Sequence, residues 1–295
     1  MAKANIAMSH TDTGWRVFVF LRRLPILPVL VLVTLVVAGV FAPLITRHDP
    51  TKNDLSSTML PPAWLDGGSA RHFLGTDHLG RDILTRVIHG ARISLVVAVT
   101  SIAAGATLGA LLGIIGGYRG GVVDEVIMRV ADLQLAFPVI LIALVLGVSV
   151  GINLLVLVGI LVITMWSRYA RVIRGDVLRL RESDYVSIAQ VAGASTTRIL
   201  LKHIFPGTIN TIIVMATLQV GWVILTEATL SFLGVGVQPP TPAWGLMVSD
   251  GRARMLTGWW ISLFPGLAIL FTVLSFNLLG DWLRDYLDPR LRQLA

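Results

Sequence analysis

The sequence predicts an all-α membrane protein of six transmembrane helices, and three observations predict it. Hydrophobic residues make up 55% of the 295-residue chain and charged residues 14%, with a mean hydropathy of +0.78. A water-soluble core of this length could not bury so much apolar surface. Several uncharged runs reach the roughly 20 residues that a helix needs to cross hydrocarbon. Arginine and lysine also concentrate in alternate loops, as in a multi-pass chain. Inside hydrocarbon each backbone N–H and C=O must be paired within its own segment, so these spans are helices.

Taken in order, residues 1–23 form a terminus before the first span, residues 24–46. That run is longer than the apolar core of a signal peptide and no clear small-residue cleavage site follows it, so it reads as a retained helix. Residues 47–92 form a loop that opens with Pro-bearing sequence (Asp49-Pro50, Pro61-Pro62). It ends in an amphipathic stretch, His72 to Arg92, which Thr76 or Asp77 would cap as a helix. The core, residues 93–283, holds five further spans. Ile93 to Tyr118 is the second. Leu133 to Ser167 is too long for one span and is interrupted by Gly147, Gly151 and Asn153, so it divides into the third and fourth. The fourth continues past Arg168 and Arg171 to about Ile173, where long side chains reach the headgroups. His203 to Thr226 and Met255 to Gly280 supply the last two, and residues 284–295 form a tail.

Six spans put both termini on one side. Of the 24 Lys and Arg residues, that side receives four before Leu24, two in 119–129, seven in 168–202 and three after Gly280; the opposite side receives eight. Both termini are therefore expected in the cytoplasm. The net charge of +7 is then a topology signal. No basic stripe with interleaved aromatics accompanies it, so nucleic acid is not an expected partner.

The cytoplasmic segment 175–206 reads as a helix–turn–helix outside the membrane. Its first helix would run from about Val177 to Ala192. Gly193 stops it at a position suited to left-handed backbone, and Ser195 caps a second helix ending at Pro206. A structured linker, a DNA-binding hairpin and a docking surface for a cytoplasmic partner are the alternatives, with tethering between two spans disfavouring the second.

At this segment the sequence resembles a known family. Tyr185-Val186-Ser187-Ile188-Ala189-Gln190-Val191-Ala192-Gly193-Ala194-Ser195, then Arg198-Ile199 and His203-Ile204-Phe205-Pro206, resembles the cytoplasmic loop of ABC-importer permeases, including the Gly-to-Pro spacing from Gly193 to Pro206. The family often has Glu-Ala-Ala where this chain has Ser187-Ile188-Ala189. Phe73-Leu74-Gly75-Thr76-Asp77-His78-Leu79-Gly80-Arg81-Asp82, with Gly90-Ala91-Arg92-Ile93-Ser94-Leu95, is similar to the stretch before the second helix of the dipeptide, oligopeptide and nickel branch. Leu230 to Gly245, with Gly234, Gly236, Gln238 and Pro239-Pro240, is similar to the loop after the fifth helix there. Within that branch the chain looks like the C-type subunit. The resemblance implies a type I importer transmembrane domain in the inner membrane: a heterodimer of permeases, two ATP-binding cassette subunits using ATP and Mg, and an external solute-binding protein. It implies ATPase coupling through Tyr185, Ala189, Gly193, Ala194, Ser195, Arg198, His203 and Pro206. Di- and oligopeptides are the implied cargo, with nickel chelates or glutathione as alternatives.

The residues agree that the motor is elsewhere. A phosphate-binding loop needs G-x-x-x-x-G-K-[ST], and none of Lys3, Lys52 and Lys202 follows a glycine. No H-E-x-x-H and no nucleophile–base pair mark an intramembrane enzyme, and no cofactor is expected on this chain. An ion-coupled carrier would place ionisable groups at mid-membrane, and Glu227 is nearly alone there. Glu227 either lines a pathway or pairs with Arg252 or Arg254 near the interface. Trp222 is the one tryptophan placed for a pathway, since Trp259 and Trp260 suit interfacial anchoring. Gly105, Gly109, Gly113 and Gly117 share a helix face fit for close packing or for sliding. Asp77, Arg81 and Asp82 form either a local cap and ion-pair cluster or a contact for the binding protein, as does Gln238 by its place in the other loop. His72, His78 and His89 lack an acidic or thiol set at zinc-like spacing, and with no cysteine there is no thiolate site. No metal is expected.

Overall fold

The computed structural model describes residues 25–287, and among them every regular element is helical except one isolated bridge, Thr76 to Asp82. The expected terminus 1–23 and the tail beyond Leu287 lie outside the described residues. Helix α1, Ile26–Val40, and a short continuation α2, Ala42–Ile45, follow Pro25. A looped stretch with one 3-10 turn, Leu55–Ser57, leads to α3, Ile83–Arg119. Then come α4, Gly121–Ala136, α5, Val139–Val150, and α6, Leu154–Arg181. Helix α7, Asp184–Val191, and α8, Thr196–Ile199, form the hairpin. A π turn, Leu200–Ile204, joins α8 to α9, Phe205–Phe232; α10, Trp244–Arg252, and α11, Trp260–Leu287, complete the chain.

Four helical runs are long and apolar enough to cross a membrane: α3, α6, the run Thr196–Phe232 and α11. The pair α4 and α5, bent by 88°, offers a fifth crossing. With α1 and α2 the total is compatible with the six expected, although the 15 residues of α1 reach only about 22 Å against a hydrocarbon core of about 30 Å. The bend has a local cause. Pro138 lacks an N–H and forces Phe137 into extended backbone, φ −92°, ψ 132°, which ends one helix and starts another.

Several expected boundaries move; the last helix begins at Trp260 rather than Met255 and runs through the expected boundary at 283–284. Helix α3 begins at Ile83 and runs unbroken to Arg119, so the boundary at 92–93 falls inside an element. Its cap is Asp82, whose carboxylate accepts from Thr85 N at 2.8 Å, and not Thr76 or Asp77. The helix expected from Val177 to Ala192 is broken at Glu182-Ser183, because α6 continues to Arg181 before the chain turns. Pro206 does not end a helix: it sits in the first turn of α9, where its missing N–H costs least.

Helices α3 and α6 form the centre of the fold and run parallel. A Cβ on Gly105 would lie 3.2 Å from Met165, on Gly109 2.4 Å from the Trp166 carbonyl, on Gly113 2.6 Å from that of Ala170, and on Gly117 3.0 Å from Val177. The glycine stripe is therefore a close-packing face inside this chain. Leu157, Ile160, Leu161, Met165 and Tyr169 are buried in the same core. The parallel course puts the hairpin at the end of the bundle where α3 and α6 finish, and the loop before α3 at the opposite end.

Candidate functional site

The hairpin is built from local rules and a few apolar anchors. Where α7 ends, Gly193 adopts φ +78°, donates to Gln190 O at 2.9 Å, and is followed by Ala194 donating to Ala189 O at 3.0 Å. Those two bonds make a Schellman closure, which uses up the carbonyls a helix end leaves bare. Ser195 Oγ accepts from Arg198 N at 3.4 Å and caps α8. Val186, Ile199 and Ile204 are fully or almost fully buried and pack with Ala110, Ile114, Ile173 and Val177 of α3 and α6. Because α8, the π turn and α9 are one continuous run, the hairpin is an extension of a span. Leu180 closes against Gly207, where a Cβ would come within 2.8 Å, and Thr211 Oγ1 donates to Asp176 at 2.5 Å, which ties α9 to α6.

The outward face is apolar although it projects beyond the packed bundle. Val191 is 91% exposed and Ile188 68%, with Tyr185, Leu201 and Phe205 also exposed. Of the residues expected to couple, Tyr185, Gly193, Ser195, Arg198 and Pro206 are exposed, while Ala189, Ala194 and His203 are half-buried. The Tyr185 and His203 rings approach with centroids 6.1 Å apart, so the structure gathers these residues on one small feature. Ile188, Val191, Leu201 and Phe205 are not among the residues expected to couple; for Ile188 and Val191 the available signal is that α7 carries apolar residues on both faces and only Val186 is spent on the core.

At the other end, Asp77, Arg81 and Asp82 are buried, at 2%, 4% and 5% exposure, and have no free surface in this chain with which to touch a binding protein. They are a local cluster. The Asp77 carboxylate accepts from Leu79 N, Arg81 N and Arg81 Nε at 2.8, 3.0 and 2.7 Å, and Arg81 also meets Asp250 of α10 at 3.6 Å. Trp260 Nε1 donates to Thr76 O at 3.0 Å and Trp244 Nε1 to Val87 O at 2.9 Å, which holds both loops of this end together. Burial pushes the His78 imidazole below its ordinary value, with Asp77 opposing. Gln238 is exposed and donates to the carbonyls of Gly234 and Gly236 within its own turn.

Glu227 is fully buried and meets neither arginine proposed for it. Its carboxylate accepts from Ser94 Oγ at 3.2 Å and Ser231 Oγ at 2.7 Å, which staples α9 to α3. Arg252 instead lies over Phe232 and Arg254 bonds the Asp250 carbonyl. Trp222 is half-buried beneath the Arg168 guanidinium, 4.8 Å from its ring centroid.

Residues 109–293 match the family described as "Binding-protein-dependent transport system inner membrane component". A di/tripeptide transport system permease protein of Pseudomonas aeruginosa is 41% identical over 266 residues, covering 90% of this chain and 88% of the relative. An oligopeptide transport system permease protein of Bacillus subtilis is 40% identical over 92% of this chain and 87% of its own. A glutathione transport system permease protein of Pectobacterium atrosepticum is 43% identical over 77% of this chain and 75% of its own. A crystal structure of an amino acid ABC transporter shares the fold with a TM-score of 0.53, at 14% identity over 69% of this chain and 95% of that one.

Proposed function

This chain belongs to the family of binding-protein-dependent transport inner membrane components, is a permease and not an enzyme, and from that premise we propose that it is one of two permease subunits of an ATP-driven importer of short peptides. In this reading the second permease completes the pathway, two cytoplasmic ATP-binding cassette subunits supply the work with ATP and Mg, and an external solute-binding protein delivers cargo. Both termini and the hairpin face the cytoplasm. The substrate class follows the relatives whose names specify di/tripeptides and oligopeptides, with glutathione the next candidate.

One observation carries the reading: an apolar, exposed hairpin face held on a rigid extension of a span, with Val191 and Ile188 outward and Val186 inward. Such a face, outside any membrane span, suits insertion into a groove on a soluble partner. Closure of the ATPases would push the hairpin, and α9 would carry the displacement into the bundle because α8, the π turn and α9 are one continuous helical run. Peptide and nucleotide shift the inward and outward states only by binding them unequally.

The test is uptake of a labelled dipeptide into proteoliposomes holding the complete complex and its binding protein. Uptake that needs ATP inside the hydrolysis compartment and survives a protonophore supports the proposal. Uptake driven by a proton gradient without ATP would contradict it and favour an ion-coupled carrier.

A further inference from the structure

We propose that the loop before α3 carries a divalent transition-metal site of the zinc class, formed by His48, His72 and Asp82. One donor atom from each lies within 4.8 Å of the other two. His72 Nδ1 is 3.0 Å from Asp82 Oδ1 and His48 Nδ1 is 4.0 Å from Asp82 Oδ2. A tetrahedral zinc with bonds near 2.0 to 2.1 Å sets its donors about 3.3 Å apart, so closing the widest gap by up to about 1.5 Å, shared between side chains, completes the geometry. Two imidazoles and one carboxylate suit zinc, cobalt or nickel rather than calcium or magnesium, which prefer all-oxygen shells.

His72 is 4% exposed, and its Nε2 has no hydrogen-bond partner. His72 Nδ1 is the nitrogen that faces Asp82, so a metal would bind there in place of the Nδ1–Asp82 hydrogen bond, and the imidazole proton would sit on Nε2. The same three residues line a cleft of about 330 Å³ that also holds Asp49, Asp54, Lys52 and Arg71, so there is room for a water to complete the shell. Three carboxylates against two fixed cations leave the cleft net negative.

The three donors come from separate pieces of chain: His48 just beyond α2, His72 in the middle of the loop, and Asp82 at the cap of α3. A bound ion would clamp the loop to the start of the central helix. Sequence reading grouped His72 with His78 and His89 and found no acid at a suitable spacing; the acid was ten residues away and already spent as a cap, and the partner histidine lay 24 residues upstream.

The test is metal content of the purified full-length complex in detergent, stripped with chelator, reloaded with zinc chloride and desalted. The expected result is one zinc per chain by mass spectrometry, replaced by cobalt(II) with the visible spectrum of a tetrahedral site, and at least about tenfold less metal in His48→Ala and His72→Ala. His89→Ala, which loses a contact to Thr46 and no donor of the proposed site, should keep the full equivalent. If His72→Ala fails to fold, His48→Ala and His72→Gln decide. Metal that washes out of the wild type, or that stays equally in the His48 and His72 variants, would be adventitious only and would overturn the proposal.

Discussion

Replacing Val191 by Glu separates docking from folding. Val191 is 91% exposed, so in the free permease the new carboxylate stays in water and stability should change by less than about 0.5 kcal/mol. In a partner groove the outcome differs. Losing the burial of one valine removes about 2 kcal/mol, equivalent to about 30-fold in association, and forcing an unpaired carboxylate out of water adds to that. Val186, one turn away and fully buried, gives the contrast: Val186→Ala should cost about 1 to 2.5 kcal/mol in thermal stability through the cavity it leaves. The assay is co-purification of the ATPases together with binding-protein-stimulated ATP hydrolysis and peptide uptake in proteoliposomes. Val191→Glu should insert and melt like the wild type yet lose ATPases and uptake. Wild-type uptake by Val191→Glu would refute the assignment of this face as the docking surface.

Gly193→Ala adds a side chain into open space, so its cost is the left-handed backbone alone, about 1 to 2 kcal/mol; Gly193→Asp, better tolerated there, should fold but uncouple ATP hydrolysis from uptake, measured as turnover per peptide transported. Gly109→Leu should abolish a folded, monodisperse permease in size-exclusion chromatography, because even a Cβ would sit 2.4 Å from the Trp166 carbonyl and 2.5 Å from Tyr169 and overpacking of this kind costs about 1 to 3 kcal/mol or more. Glu227→Ala removes the acceptor of the Ser94 and Ser231 hydroxyls, of which Ser231 still accepts from Val237 N, at a cost of about 1 to 3 kcal/mol in melting experiments, while uptake per folded complex should be unchanged; a lost uptake rate in well-folded Glu227→Gln would instead restore a pathway role.

What the sequence made legible was local. The Gly193 stop and the Ser195 cap depend on residues within one turn, and both appear where the pattern put them. The small face of α3 was readable from spacing alone, although its partner, α6, was not. Misreadings share one cause, which is that a long-range contact decided among local options. Thr76 and Asp77 look as good a cap as Asp82, but Thr76 is spent on Ser57 and Leu60 and Asp77 on Arg81. Glu227 looked like a group in search of a cation, and its partner proved to be Ser94, 133 residues earlier. The bend at Phe137-Pro138 was open to view in the proline, yet the uncharged run around it hid the change of direction. Pro206 read as a stop because prolines end helices more often than they begin them inside a continuous run, and the π turn before it is invisible to a periodicity of 3.6.

The chain has no cysteine, so Val191→Cys gives a unique handle for a photo-crosslinker at the tip of the hairpin, with Val99→Cys on an exposed face of α3 as the control. In the assembled complex, illumination should join residue 191 to a nucleotide-hydrolysing subunit and should join residue 99 to none. Adducts between residue 191 and the solute-binding protein, or no ATPase adduct at all, would contradict the claim that this hairpin is where the motor grips the membrane bundle.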